Sequence, residues 1–180
     1  MKATGIVRRI DDLGRIVIPK EIRRTMRIRE GDPMEIFTSR EGEILLKKYS
    51  PVGELGEFAA ELAESIAQTT GELVCITDRD YVIAVAGSGK KEYEGKSLES
   101  SFQFAIDKRI NQVLVKEELI DVFPGDSKIY TKQAIATILS HGDCIGAVTI
   151  LSKETGKNQD EVLLQLAKAM AGFLGKHMEQ

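Results

Sequence analysis

Apolar and polar positions recur at strand spacing in four short stretches of the first fifty residues. Residues 4–10 and 15–18 flank a turn signal at 11–14, and residues 34–37 and 43–49 flank Ser39-Arg-Glu-Gly42, so two hairpins are predicted. Between them Pro19 stops a strand and suits the first turn of a helix. Along residues 20–27, Ile22 and Met26 fall four apart on one face, while Lys20, Arg23, Arg24 and Arg27 follow helical spacing on another. The unit reads as ββαββ with a cationic helix. Its strands do not alternate cleanly: Ile16-Val-Ile18 and Ile44-Leu-Leu46 place apolar groups on both faces, as in strands covered on both sides. A unit of this size buries a low fraction of its surface and often needs a staple or a second copy. An intertwined dimer is therefore expected.

The period changes after a break at Ser50-Pro-Val-Gly53. Residues 54–70 carry Leu55, Phe58, Leu62 and Ile66 at helical spacing, with Glu54, Glu57, Glu61 and Glu64 between them and Gly71 at the end. A second helix is predicted from Asn158, a suitable N-cap, because Leu163, Leu166, Met170, Phe173 and His177 step three and four residues at a time. Between these helices, residues 73–77 and 81–86 predict a hairpin, and residues 98–108 a helix. Short strands are expected near 113–115 and 128–130, then a long hairpin over 134–140 and 144–151. Strands bracketed by helices make an antiparallel α+β layout. The chain divides as 1–50, a linker at 51–56, and 57–180.

Composition adds little until it is resolved along the chain. The 180 residues are 42% hydrophobic with a net charge of -3, ordinary for a globular protein. No run approaches a bilayer span and the start lacks the apolar core of a signal peptide, so a cytoplasmic location without membrane contact is expected. Residues 1–50 hold 12 basic and 8 acidic side chains, +4, whereas the rest carries -7. Only Arg79 and Arg109 lie outside the first fifty residues. Such asymmetry points to a nucleic-acid-binding segment, since guanidinium suits bidentate phosphate and guanine contacts.

The residues Thr4-Gly-Ile-Val-Arg-Arg-Ile-Asp-Asp-Leu-Gly-Arg-Ile-Val-Ile-Pro-Lys-Glu-Ile-Arg-Arg-Thr25, with the later Gly-Asp-Pro-Met-Glu-Ile36 and Ile-Leu-Leu-Lys-Lys-Tyr49, resemble the AbrB-type swapped-hairpin DNA-binding domain of bacterial transition-state regulators. The resemblance implies a β-barrel dimer of interleaved hairpins that binds double-stranded DNA through Arg8, Arg15, Arg23 and Arg24, with Arg9 beside them. It also implies readout of DNA shape more than of a strict consensus. The second part, through Cys144-Ile-Gly-Ala-Val-Thr-Ile150 leading into a C-terminal helix, is similar to a GAF domain, which implies oligomerisation through its helices. The two together resemble the AbrB-type regulators that act late in spore formation. That implies an activator and repressor of forespore genes, nucleoid-associated and tetrameric. Swapped-hairpin proteins also include antitoxins, the alternative reading, although residues 54–180 carry the apolar periodicity of a folded domain rather than of a toxin-wrapping tail.

Further chemistry is sparse. Gly87-Ser-Gly-Lys90 lacks the first glycine of a phosphate loop and has Lys91 where Ser or Thr would bind magnesium. Cys75 and Cys144 sit in apolar strands, where cysteine acts as a small hydrophobe. His141 and His177 have no spaced partners for a metal or a catalytic role, and Phe102 and Phe104 are expected in the core. No enzyme, metal or cofactor is predicted. A small-molecule effector of the second domain, held under loops 87–98 and 117–128, is left open.

Overall fold

In a computed structural model, which describes residues 4–126, 129–153 and 160–179, the chain separates into two compact units, Met1–Tyr49 and Ser50–Gln180.

In the first unit, Pro19 precedes helix α1 (Lys20–Thr25), and strands β1 (Met34–Thr38) and β2 (Ile44–Lys48) pair antiparallel with Ile36 opposite Leu46. The helix ends in a Schellman motif: the Ile28 amide donates to the Arg23 carbonyl at 2.7 Å and the Arg27 amide to that of Arg24 at 3.3 Å. Arg27 takes the left-handed conformation, φ 52°, that this motif usually gives to glycine. The other two predicted strands, 4–10 and 15–18, form no ladder here. These residues flank a turn at 11–14 without regular secondary structure, and Val7, Leu13 and Val17 are 69% or more exposed. A lone two-stranded ribbon is marginal in water, and these apolar groups stay exposed among the described residues.

The second unit is built on one antiparallel sheet. Residues 51–56, expected as a linker, form a short helix, a one-residue turn and the start of the next helix instead. Ser50 caps α2 (Pro51–Glu54), its hydroxyl accepting from the Gly53 amide at 3.0 Å and donating to Asp78 at 2.7 Å. Val52 is fully buried, and α3 (Gly56–Thr70) follows after a single residue. Then come β3 (Leu73–Thr77), β4 (Val82–Ala86), α4 (Lys90–Tyr93), α5 (Ser100–Asp107), β5 (Gln112–Val115), β6 (Lys132–Ser140), β7 (Asp143–Ser152) and α6 (Asp160–His177). The sheet order is β4-β3-β7-β6-β5. The strand expected at 128–130 is absent from its described part; Ile129 and Tyr130 lie in a loop. Asn158, the expected N-cap of α6, lies outside the described residues.

Both faces of the sheet are covered. On one, α3 and α6 pack over Val74, Ile76, Ala136, Ile138, Val148 and Ile150. The other carries Leu73, Cys75, Ile135, Ala147 and Leu151 beneath α5, Tyr93, Leu98, Phe123 and Tyr130. Glycine permits two close approaches: a β-carbon on Gly146 would lie 1.9 Å from the Thr77 carbonyl oxygen, and one on Gly175 would lie 2.1 Å from that of Leu139. No helix among the described residues is long and apolar enough to cross a membrane.

The predicted face of α3 shifts by one position, and that of α6 shifts in part, since Leu163 and Met170 are buried as predicted. On α3 the alanines Ala59, Ala63 and Ala67 sit against the sheet, while Leu55, Phe58, Leu62 and Ile66 are only partly buried. On α6 the sheet-facing stripe is Leu163, Ala167, Met170, Ala171 and Leu174, while Phe173 is 50% exposed. The larger groups meet each other instead: Phe58 lies 5.5 Å from Phe173 and stacks on His177 at 5.1 Å between ring centres.

Candidate nucleic-acid interface

Arg8, Arg9, Arg15, Arg23 and Arg24 are all exposed. Pro19 is buried and its carbonyl accepts the Arg23 amide at 3.0 Å, so the first turn of α1 starts at the proline and carries Lys20, Arg23 and Arg24 outward. The acids nearest in sequence do not neutralise the pair. Asp32, whose side chain is 3% exposed, bonds Lys48 at 3.1 Å and accepts the Arg29 amide at 2.8 Å, while the Lys48 ammonium also donates to the Arg27 carbonyl at 3.0 Å. Among the described residues Arg9, Arg23 and Arg24 form no ion pair. Among the described residues the Arg8 guanidinium makes only a local bond, to the Val7 carbonyl at 3.3 Å.

Arg15 differs. Its Nε donates to Asp11 Oδ2 at 2.7 Å, and Asp11 Oδ1 accepts the Leu13 and Arg15 amides at 3.0 and 2.8 Å. The Arg15 amide, and after it the guanidinium, hold the Asp11 carboxyl below the usual carboxylate range. Sequence spacing did not single out Asp11; the signal was the Asp-x-x-Gly turn followed at once by arginine.

The structure places the remaining candidates in structural roles. Gly87 has φ 103°, and a β-carbon there would strike the Glu72 carbonyl, so Gly87-Ser-Gly-Lys90 is a tight strand exit into α4. His141 and Gly142, both with positive φ, make the two-residue turn joining β6 to β7, and the His141 amide donates to Glu179 at 2.9 Å. Cys75 is buried, and burial pushes its thiol well above the usual range; Cys144 is half-buried. Phe102 is buried as predicted. Phe104 is not: it is 61% exposed, with the Lys108 ammonium 5.3 Å from its ring centre, because helix α5 turns that position away from the sheet.

The loops that could cover an effector are stitched to one another. Tyr93 donates to Asp126 at 2.7 Å and packs edge-on against Phe123 at 4.9 Å. Tyr130, its hydroxyl pushed up to about 12 by burial, donates to the Ser88 carbonyl at 3.3 Å. Beside it lies a surface cavity of about 470 Å³ lined by Lys116, Glu117, Leu119, Tyr130 and Thr131.

Comparison with known proteins adds sequence likeness to this geometry. Residues 54–179 match the family described as stage V sporulation protein T C-terminal, transcription factor, and residues 7–54 match antidote-toxin recognition MazE, bacterial antitoxin. The chain is 49% identical over 180 residues, all of both chains, to stage V sporulation protein T of Bacillus subtilis (strain 168). Over 51 residues, 28% of this chain and 52% of the relative, it is 59% identical to the transition state regulatory protein AbrB of the same organism. The cofactor-binding GAF domain of the nutrient sensor CodY from Clostridium difficile is similar in fold, with a TM-score of 0.52 at 15% identity over 66% of this chain and 83% of that one.

Proposed function

The chain belongs to the stage V sporulation protein T family of transcription factors, and from that membership we propose that it binds double-stranded DNA as an oligomer through Arg8, Arg9, Arg15, Arg23 and Arg24. It joins an AbrB-like head to a GAF-like body, so residues 1–50 serve as the DNA-binding domain and residues 57–180 as the oligomerising one. The observation that carries the reading is the group of five exposed arginines inside a segment 59% identical to a transition state regulator. Each phosphate they neutralise releases condensed counterions, so binding is strong and salt-sensitive. Regulation of late sporulation genes in the forespore, by activation at some and repression at others, is the biological setting we propose.

Two features support self-association. The uncovered apolar groups of residues 4–18 suit hairpins that interleave with a second copy, and the Phe58, Leu62, Leu166 and Phe173 flank of α3 and α6 suits pairing of bodies into a tetramer. An effector would enter at the cavity beside Tyr130, since much of that sheet face is filled by the protein's own aromatic groups. The antitoxin reading rests on the match over residues 7–54 and is weaker, because the larger part of the chain matches a transcription factor. The same match favours a regulator over an enzyme.

Arg23→Ala tests the interface. It should weaken binding to every duplex and lower the slope of log K against log salt by about 0.9 for each phosphate no longer neutralised. Gel-shift affinity and slope equal to those of the unaltered protein would remove α1 from the DNA face.

A further inference from the structure

Asp11 is an acid placed among cations on the surface assigned to DNA. Its carboxylate is used on both oxygens: Oδ1 closes the turn by accepting the Leu13 and Arg15 amides, and Oδ2 accepts Arg15 Nε. Of the five arginines, only Arg15 forms an ion pair among the described residues. The pairing uses Nε and no terminal nitrogen of the fork, and 69% of the Arg15 side chain is exposed. A guanidinium held this way keeps donors for a phosphate or a base edge and loses less side-chain freedom on docking. The carboxylate has a second effect. It sits within one side chain of the phosphates that Arg15 would meet, well inside a Debye length, so it repels a duplex whose backbone runs over the turn. Such an element penalises wrong partners more than right ones.

We propose that Asp11 is a positioning and specificity-determining residue for DNA recognition, aiming the Arg15 fork and holding down affinity for arbitrary sequence. The proposal rests on the DNA-binding reading above. It predicts that charge, and not merely turn closure, sets the ratio of affinities for preferred and arbitrary DNA. Asp11→Asn separates the two, because an amide oxygen still accepts the Leu13 and Arg15 amides while the negative charge is gone.

The experiment uses the full chain, a duplex selected from a random pool by the unaltered protein, and an arbitrary duplex of equal length, titrated across salt. Asp11→Asn should tighten binding to the arbitrary duplex and lower the preferred-to-arbitrary ratio about threefold or more, as expected when one exposed ion pair is removed from each protomer. In an Arg15→Ala background the same substitution should leave the ratio unchanged. An unchanged ratio in Asp11→Asn overturns the proposal, and so does an equal fall in the Arg15→Ala background, which would make Asp11 a plain surface charge. If circular dichroism shows Asp11→Asn unfolded, Asp11→Ser, which also keeps a turn acceptor, is read by the same criteria. Failure of the unaltered protein to bind either duplex would instead remove the DNA-binding reading itself.

Discussion

Cys75 and Cys144 look alike in sequence, each inside an apolar strand, yet they differ in reach. Cys75 lies with Tyr93 and Tyr130 on the sheet face beneath α5, where desolvation disfavours its thiolate. Cys144 stands at the hairpin end of β7, next to a two-residue turn, and is half-buried. An aromatic disulfide reagent should therefore modify one thiol per chain in the native protein, at Cys144, and a second only after denaturation. Two rapidly reacting thiols would place Cys75 closer to solvent than the fold does. At this scale the exposure of Arg23 and Arg24 was legible, because cations on an amphipathic helix face water. The Arg15–Asp11 pair and the outward Phe104 were not. The first depends on which carboxylate oxygen closes the turn, the second on where an eight-residue helix lands on the sheet.

Among elements, the helices show what apolar periodicity misses. A period of 3.6 identifies Leu55, Phe58, Leu62 and Ile66 as the main stripe of α3, yet the deepest positions are alanines. Small side chains let a helix backbone approach a sheet, and the larger neighbours then lie along its flank. Gly175 carries the same logic furthest, with the Leu139 carbonyl where its β-carbon would be. Gly175→Ala should push α6 off β6 and cost about 1–3 kcal/mol of stability, read as a lower urea midpoint. A midpoint equal to that of the unaltered protein would show that the helix can shift at no cost. The strands β3, β4, β6 and β7 and their two hairpins were legible, since each is an apolar run bounded by turn residues; their order in the sheet was not, because neighbours such as β3 and β7 lie far apart in sequence. The short helix α4 escaped notice because a single turn has no period to detect.

For the whole molecule, what the first fifty residues lack as a single chain is the point of interest. Residues 4–18 have strand composition but no ladder, and a pairing with partners distant in sequence or in another copy is what local pattern cannot specify. If interleaved hairpins are that partner, residues 1–54 alone should scatter light as a dimer and the full chain as a tetramer. A monomeric full chain would refute both associations, and a dimeric full chain the pairing of bodies through α3 and α6. The division of charge, +4 before residue 51 and -7 after it, then repeats in every copy, and the acidic bodies would repel the duplex that the heads hold.

The junction after Tyr49 has one more consequence. Ser50, bonded to Asp78 and capping α2, and Val52, fully buried, leave residues 50–56 without an extended stretch. A protease needs several residues drawn out into its cleft, so cleavage there must wait until the first turn of the body opens. The first residues of the second unit, ordinarily a soft target in such a chain, are guarded by that unit's own packing.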